Sequence, residues 1–524
     1  MPDAESLFAF HEHLLFLRAY PDDRRVLARS ERLLRAFARR PDLLRFRDEL
    51  MDSGIAGTTT RYPFFYPTAR WLAQRFPRQL TIDWDDFSAA DEQGVGRLLI
   101  EVLPPDESAP LRAGATSPSA YLAAASPSRT AAVALLERVA ASAGDDFLRE
   151  TLHDRAAPWY RLRPGGGVPS RTVARASGAP AIFRTSPPRR SRPDLAAELL
   201  VPPVRIREVR GAAAVGLVTL AREAMIVRAR DLDCFAYADR RDVRRIELED
   251  GLVLVAFGSL PERRLLLSSA YGLLSLRNGV PVGYTQLDGF LGTALVHFNT
   301  FETFRGADAA WVFARTLAAA RSLFGCSAFA IEPYQLGHGN DEALDSGAWW
   351  FYRKLGFVPR DPSTRRLARR EERRMAQRPS HHSSRATLAR LAQHHLYWEP
   401  SGESAVLPPH AAASRAINRQ IASRSEEIGS ARRRIAAEVG ELLGVLPTSR
   451  MSPAERYWLA RWAPFLLSLP GFRAWSPGER RALAAILRTK AGRRESDLPA
   501  LARRHPRFRD ALCSLAAREP ASDS

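Results

Sequence analysis

The stretch that decides the fold is residues 271–301, YGLLSLRNGVPVGYTQLDGFLGTALVHFNTF. It opens with an apolar run that ends at Asn278-Gly279, the dipeptide that most readily supplies the two positive-φ residues of a tight hairpin turn. We therefore predict that a strand over 271–277 pairs with a second strand over 280–286. A third strand is predicted over 294–301, where His297 and Asn299 would share one face by alternation.

The segment that follows has the pattern of helices around one buried strand. In order, we predict a turn at 302–308, a helix over 309–324, a strand over 326–331, a polar loop at 334–340 and a helix over 342–354. Phe313, Leu317 and Phe324 share one face of the first helix, and Gly325 suits the left-handed position that ends many helices. A strand, a helix and another strand in this order predict an α/β crossover unit.

Two short sequences in this segment carry a family resemblance. Residues 348–357 read AWWFYRKLGF, which is similar to the sequence Ala-x-x-Phe-Tyr-x-x-Leu-Gly-Phe of the GNAT superfamily of N-acetyltransferases. The turn before the first helix resembles the superfamily sequence Arg/Gln-x-x-Gly-x-Gly/Ala. Arg305 and Ala310 stand at its first and last positions, and Asp308 replaces its middle glycine. The resemblance covers about a fifth of the 524-residue chain.

This resemblance implies a fold, a co-substrate and a set of binding residues. The fold would be a GNAT-like α/β domain, a mixed sheet with helices, and the reaction would transfer an acyl group from acetyl-CoA to an amine. The implied CoA-binding residues are those of the turn and the helix start, namely Arg305, Gly306, Ala307, Asp308, Ala309 and Ala310.

The turn also has a physical reason to hold phosphate. The first N–H groups of a helix have no acceptor within the helix and lie at the positive end of its dipole, so a pyrophosphate can bind there. Gly306 lets the chain come close to such a ligand. The alternative is an ordinary strand-to-helix turn in which the Asp308 side chain caps the helix.

Tyr352 is the candidate acid. Attack of an amine on a thioester expels a thiolate, and a phenol held beside the sulfur can supply the proton. The superfamily often uses a tyrosine at this position for that purpose. The alternative is a core tyrosine, because Tyr352 lies on the apolar stripe of its predicted helix.

A base for the amine is expected on the strand before the turn or on the facing loop. His297, Asn299 and Glu302 are the candidates, and His297 has the titration range that a base needs near neutral pH. His338, in the loop 334–340, is a looser alternative. A strand histidine can equally be a hydrogen-bonded core residue with no catalytic role.

The composition is that of a globular protein with an unusual charge balance. Hydrophobic residues make up 45% and aromatic residues 9% of the chain. The formal charge of +19 comes almost entirely from arginine, because Lys354 and Lys490 are the only lysines. Such a balance reflects either the codon bias of a GC-rich bacterial genome or a polyanionic partner.

The amino end is acidic where a secretory signal would be basic, and no apolar run approaches the length of a membrane span. We therefore expect a cytoplasmic protein that does not contact a membrane. The cysteines Cys234, Cys326 and Cys513 show no paired spacing, and the histidines lack the i, i+4 spacing of two ligands on one helix face. We expect neither a disulfide framework nor a metal site.

We predict four parts of the chain. They are an all-α domain over 1–160, a linker rich in proline, glycine and arginine over 161–204, a GNAT-like acyltransferase domain over 205–400 and a helical region over 401–524.

Three finer predictions concern particular segments. In the first domain, 104–119 is predicted to be a loop. In the last region, Ser452 and Ser476 should each begin a helix with a capping box, and Pro464 should kink or end the first of these helices. The arginine-rich run 365–374 is predicted to be a helix whose face is either solvated or bound to an acidic partner.

The function that these patterns favour is acyl-CoA-dependent N-acyl transfer by direct attack of an amine on the thioester. Two alternatives stay open. One is a GNAT-fold protein that binds a ligand without turnover. The other is an arginine-rich helical scaffold that binds nucleic acid.

Overall fold

The computed structural model describes residues 1–178, 181–187, 189, 191–306, 308–400, 402–424, 426–445 and 450–517. Its helices are α1 (Ala4–Ala19), α2 (Arg24–Ala36), α3 (Pro41–Arg45), α4 (Tyr66–Arg75), α5 (Ala89–Val102), α6 (Pro105–Arg112), α7 (Pro118–Ala125), α8 (Ala131–Ala141), α9 (Asp146–Ala156), α10 (Leu195–Leu200), α11 (Gly211–Ile226), α12 (Asp233–Ala236), α13 (Ala309–Phe324), α14 (Pro333–Leu336), α15 (Asp341–Asp345), α16 (Ala348–Lys354), α17 (Pro362–Gln377), α18 (Arg385–Leu391), α19 (His410–Ala422), α20 (Ile428–Leu442), α21 (Pro453–Leu467), α22 (Pro477–Ala491), α23 (Leu498–Arg504) and α24 (Pro506–Ala517). In the described residues, no helix combines the length and the apolar character needed to cross a bilayer.

The strands are β1 (Thr60–Tyr62), β2 (Leu80–Ile82), β3 (Tyr160–Leu162), β4 (Arg205–Val209), β5 (Ala238–Glu247), β6 (Leu252–Ser259), β7 (Ser269–Arg277), β8 (Val280–Phe290), β9 (Thr293–Thr300), β10 (Ala328–Ile331), β11 (Val358–Pro359) and β12 (Leu396–Trp398). The fold is therefore mixed α/β, with helices at both ends of the chain, as predicted.

The first of two compact units comprises Met1–Ser186, Ala212–Tyr237 and Arg277–Pro281. It is mostly helical, and its core packs apolar residues of α4, α5 and α8 together. It also holds an antiparallel sheet in the order β1-β3-β2, so the prediction of an all-α domain is wrong in this respect. These strands are three residues long and too short to show an alternating pattern. The predicted loop 104–119 contains helix α6, which starts at Pro105.

Residues 163–178 fall in the predicted linker, yet polar contacts fix them to the first unit. The buried Arg18 guanidinium donates to the carbonyl oxygens of Thr172 and Ala174 at 2.7 and 3.2 Å. His11 Nε2 lies 2.9 Å from Thr172 Oγ1, and that hydroxyl oxygen accepts from the Ala56 N–H. The segment forms neither helix nor strand and is nevertheless packed into this unit.

The second unit comprises Pro187–Gly211, Ala238–Leu276 and Val282–Ser524. In the described part of the chain it is built on a nine-stranded sheet in the order β11-β12-β10-β9-β8-β7-β6-β5-β4. The β9–β10 pair is parallel, whereas the β8–β9 and β10–β12 pairs are antiparallel. The mixed sheet and the β9–α13–β10 crossover agree with the sequence prediction. The core on one face buries Phe313, Leu317 and Trp349 against Val296 of β9.

Local signals correctly placed the turn between β7 and β8 and the helix α13. Asn278 and Gly279 have φ angles of 49° and 79°, which a tight hairpin turn between β7 and β8 requires. Helix α13 spans the predicted residues and ends at Gly325, whose φ is 65°. The predicted helix over 342–354, in contrast, is two helices. Gly347 takes a φ of 66° between α15 and α16, and this left-handed residue interrupts the helix.

The carboxy-terminal helices belong to the second unit. Trp458 and Trp462 of α21 pack in one core with Leu267 and Phe290, which lie before β7 and in β8. The capping boxes at Ser452 and Ser476 are both present, as predicted. Helix α21 runs on to Leu467, so Pro464 does not end it, and a kink at Pro464 stays a prediction. Pro464 is buried within this helix and lacks the N–H that would continue the helical hydrogen bonding.

Candidate active site

The candidate site lies where β9 and β10 stop pairing. The parallel register joins Thr293–Leu295 to Ala328–Ala330, and β10 ends one residue later at Ile331. Strand β9 continues to Thr300, paired there with β8. The edge of β9 beyond Leu295 therefore opens beside the carboxyl end of β10. Openings of this kind in α/β sheets are where ligands usually bind.

A polar cluster occupies one face of the sheet at this opening. His297 pairs in register with Gln286, and its Nδ1 lies 2.9 Å from a carboxylate oxygen of Glu332, directly after β10. Its Nε2 lies 3.6 Å from Asp288, an ion-pair distance that is too long for a hydrogen bond. The Gln286 amide donates to the Asp288 carboxylate at 3.2 Å. One imidazole therefore stands between two carboxylates.

The charge of His297 follows from these neighbours. Burial alone would lower the pKa of His297, but the carboxylates of Asp288 and Glu332 outweigh burial and raise its pKa to about 10. At neutral pH the imidazole is therefore protonated and donates rather than accepts. In this state His297 cannot take a proton from an amine, whereas the Glu332 carboxylate beside it can.

Asn299 carries a second polar group on the same face. It pairs in register with Tyr284, and the Tyr284 ring packs 6.0 Å from that of Phe301. The Asn299 Oδ1 atom is buried and has no hydrogen-bond partner in the described part of the chain. Val296 and Phe298 face the opposite side, in the core, so the predicted alternation along β9 is confirmed.

Tyr352 lies on α16, inside the core of the second unit. It is 3% exposed, and its ring contacts those of Phe313, Phe351 and Phe357 at centroid distances of 5.4, 5.1 and 6.0 Å. Burial raises the pKa of Tyr352 well above its ordinary value, and the nearby Tyr284 raises it further. The side chain is therefore a neutral phenol that can donate a hydrogen bond.

The predicted CoA-binding turn is present between β9 and α13. Residues Glu302–Phe304 form a single 3-10 turn, and the position of a β-carbon on Gly306 is open, with no atom within 4 Å. Arg305 donates from Nε to the Thr300 carbonyl at 3.1 Å and pairs with Glu342. Ala307 lies outside the described residues.

Asp308 stands at the N-cap position of α13. It is 5% exposed, and its side chain makes no capping hydrogen bond to the first turn, contrary to one of the predicted readings. The N–H groups at the start of α13, which include those of Ala309 and Ala310, have no acceptor within the helix.

Two predicted residues stand apart from the cluster. Glu302 is exposed on the 3-10 turn, and His338 is exposed after α14. The structure instead adds Asp288 and Glu332, which the sequence prediction missed. Their signals were nonetheless present. Gln286 and Asp288 alternate along the end of β8, and Glu332 directly follows a buried strand that pairs in parallel.

Comparisons of the chain with protein-family models, with curated proteins and with solved structures find no match. Among the described residues, no group of three or more His, Cys, Asp or Glu side chains is arranged to hold a metal ion. The site is therefore interpreted from its own geometry.

Proposed function

We propose that the second unit is an N-acyltransferase that moves an acyl group from acetyl-CoA, or a related thioester, to an amine. The observation that carries this proposal is the opening between β9 and β10. The start of α13 follows β9, and the buried Tyr352 lies on α16, which follows β10. A thioester at this opening would have phosphate-binding N–H groups at one end and a proton donor at the other.

The start of α13 supplies the phosphate end. The N–H groups of its first turn have no acceptor within the helix and lie at the positive end of the helix dipole, so these groups can donate to a pyrophosphate. The negative charge of Asp308 opposes that binding, and Arg305 is already paired with Glu342. We therefore expect CoA to bind more weakly than it would to a glycine-rich turn.

Two protons move in the proposed reaction. The amine nitrogen attacks the thioester carbonyl carbon and forms the C–N bond, the C–S bond breaks, and the Tyr352 phenol gives its proton to the departing thiolate. The ammonium formed on the acceptor loses its proton to the Glu332 carboxylate. Exchange with solvent then takes this proton from Glu332 and returns one to the Tyr352 phenolate. Because His297 is protonated beside Glu332, it holds that carboxylate in place and is a positioning residue in this scheme.

Binding of acetyl-CoA to the full chain is the first test. The full chain is required because a fragment over 204–400 would lose the helices that pack on Leu267 and Phe290. Calorimetry should show heat with acetyl-CoA and with CoA, and millimolar ligand should raise the melting temperature. Absence of both effects would overturn the acyltransferase proposal.

Ligand binding without turnover is a second candidate function. The burial of Tyr352 favours it, because a reacting sulfur must reach the phenol. If acetyl-CoA binds but no thiol is released in the presence of primary amines, the second unit is a CoA-binding domain and not an enzyme.

A further inference from the structure

Helix α17 packs one face against the core, and its arginines lie on the face that is exposed to solvent. At about 100° per residue, its arginines fall within roughly half of the helix circumference. They are Arg365, Arg366, Arg369, Arg370, Arg373 and Arg374. The opposite side carries Thr364, Leu367 and Ala368, which are buried. The arginine-rich run is therefore helical, as predicted, and its arginines are exposed.

The acidic residues of this helix are already used by other groups. Glu371 is buried and accepts from the Ser383 hydroxyl at 2.8 Å, with His381 and Arg374 beside it. Glu372 pairs with Arg353 of α16 at 2.8 Å. In the described part of the chain, no carboxylate lies within ion-pair distance of Arg366, Arg369, Arg370 or Arg373. The outer face therefore presents uncompensated positive charge.

We propose that this face binds the phosphate backbone of a nucleic-acid duplex. Arginine pairs with phosphate through two parallel N–H bonds, and a helix of 16 residues is about 24 Å long, enough to follow several successive phosphates. The outer face carries no aromatic side chain on which unpaired bases could stack, which favours a duplex over a single strand. It also lacks the large apolar side chains that a membrane-surface helix inserts between lipids.

This surface is independent of the acyltransferase proposal, although the Arg353–Glu372 pair joins α17 to the helix that carries Tyr352. A chain that fails to bind acetyl-CoA can still bind a duplex here, and the reverse also holds. The two proposals therefore fail separately.

The test measures the affinity of the full chain for a fluorescent DNA duplex of arbitrary sequence, and for the same duplex in RNA, over a series of salt concentrations. Each phosphate contact contributes about −0.9 to the slope of log K against log salt. We expect the variant R366Q/R369Q/R370Q/R373Q to lose at least about tenfold in affinity at about 0.1 M salt and to reduce the magnitude of the slope by about 3.6, which is four contacts of about 0.9 each.

Two control variants distinguish binding by the arginines of α17 from a general effect of the positive charge of the chain. R24Q/R25Q/R29Q/R32Q removes the same charge from α2 in the first unit, where these four exposed arginines likewise lack a carboxylate partner among the described residues. R155Q/R385Q/R503Q/R507Q removes four arginines that are already paired. For both variants we expect an unchanged salt slope and an affinity within about twofold of that of the unmodified chain.

An equal loss in all three variants would overturn the assignment to α17, as would the absence of duplex binding at low salt. Vesicles of phosphatidylcholine and phosphatidylserine provide the remaining comparison. Retention on these vesicles without binding to either duplex would show that the partner is a lipid surface.

Discussion

His297 is held between two carboxylates, and its charge can be measured directly. In the folded chain the pKa of His297 is raised to about 10, whereas a histidine in the unfolded chain has a pKa of about 6.5. The ion pairs with Asp288 and Glu332 therefore contribute their full stability below about pH 6.5. That contribution is lost as the pH rises through 10. We expect the stability difference between the unmodified chain and His297→Gln to shrink by up to about 1.4 kcal/mol per pH unit across this window.

Denaturant unfolding at several pH values measures this difference, and the ¹⁵N shifts of the imidazole report its protonation. As a matched variant, Glu332→Gln removes one partner and should bring the pKa of His297 down from about 10. A His297 that is already neutral at pH 8 in the unmodified chain would contradict the assigned charge. The catalytic role of Glu332 would then pass to His297.

Substitution of Tyr352 distinguishes a catalytic role of this residue from a packing role. If its phenol protonates the departing thiolate, Tyr352→Phe should leave the affinity for CoA intact and reduce turnover by roughly 10²-fold or more. Thiol release at saturating acetyl-CoA measures turnover, and calorimetry measures affinity. Tyr66→Phe is the matched control, because it also removes the hydroxyl group of a buried tyrosine. The Tyr66 hydroxyl has no hydrogen-bond partner in the described residues. Unchanged turnover with a lower melting temperature would show that Tyr352 is only a core residue.

Asp308 departs most clearly from the superfamily pattern. A carboxylate about 4 Å from a phosphate charge costs about 4 kcal/mol at an effective dielectric constant near 20, and solvent screening reduces this cost. We expect Asp308→Asn and Asp308→Gly to tighten acetyl-CoA by about tenfold, measured by calorimetry. Since the side chain makes no capping bond, neither variant should lose the roughly 1 kcal/mol of a helix cap. Unchanged or weaker binding would mean that this turn does not hold phosphate.

At the scale of elements, two glycines of the second unit allow a paired test. Gly347 has a φ of 66°, so Gly347→Ala should cost about 1–2 kcal/mol of stability. Gly306 is not in the left-handed region, and a β-carbon there would meet no atom within 4 Å. Gly306→Ala should therefore leave the melting temperature unchanged and weaken acetyl-CoA binding, because the added methyl group blocks a close approach of the phosphates. If Gly306→Ala binds acetyl-CoA normally, no phosphate lies against this turn.

The elements that the sequence predicted well are those with a strong local signal. The turn at Asn278-Gly279, the end of α13 at Gly325 and the capping boxes at Ser452 and Ser476 each depend on a few adjacent residues. Weaker signals led to the errors. The three-residue strands β1 to β3 are too short for alternation, and the break at Gly347 was concealed by the helical pattern around it.

At the scale of the molecule, the candidate site was only partly predictable. His297 and Tyr352 could be named because one pattern and one family resemblance pointed to them. The charge on His297 depends on Asp288 and Glu332, which the chain brings together through strand pairing and through the end of β10. Likewise, the helical region after residue 400 appeared to be separate, because its contacts with β7 and β8 join residues about two hundred positions apart.

A buried ionic cluster makes those long-range contacts testable. Lys490 at the end of α22 is fully buried, and its ammonium group donates to the carbonyl oxygens of Leu265 and Ser268 at 2.6 and 2.7 Å and to the Glu495 carboxylate. Burial lowers the pKa of Lys490 to about 8 despite this partner. The Ser269 hydroxyl donates to the Glu495 backbone carbonyl at 2.7 Å. The cluster thus fixes the end of α22 to the start of β7.

Removing one charge of the Lys490–Glu495 pair should cost more than removing both. Glu495→Gln leaves the ammonium group buried without its counter-charge, and we expect it to destabilise the chain by about 3–5 kcal/mol. The double variant Lys490→Met with Glu495→Gln removes the unpaired ammonium group and should recover part of this loss. Recovery should be incomplete, because the buried Arg264 guanidinium, 3.8 Å from Glu495, still loses its carboxylate. Glu101→Gln, which breaks an exposed pair with Arg155, should cost at most about 1 kcal/mol. Denaturant unfolding of the unmodified chain, of the single variants Lys490→Met and Glu495→Gln and of the double variant gives the coupling energy. Simple additivity of the two substitutions would mean that the carbonyl groups of Leu265 and Ser268, and not Glu495, hold Lys490 in place.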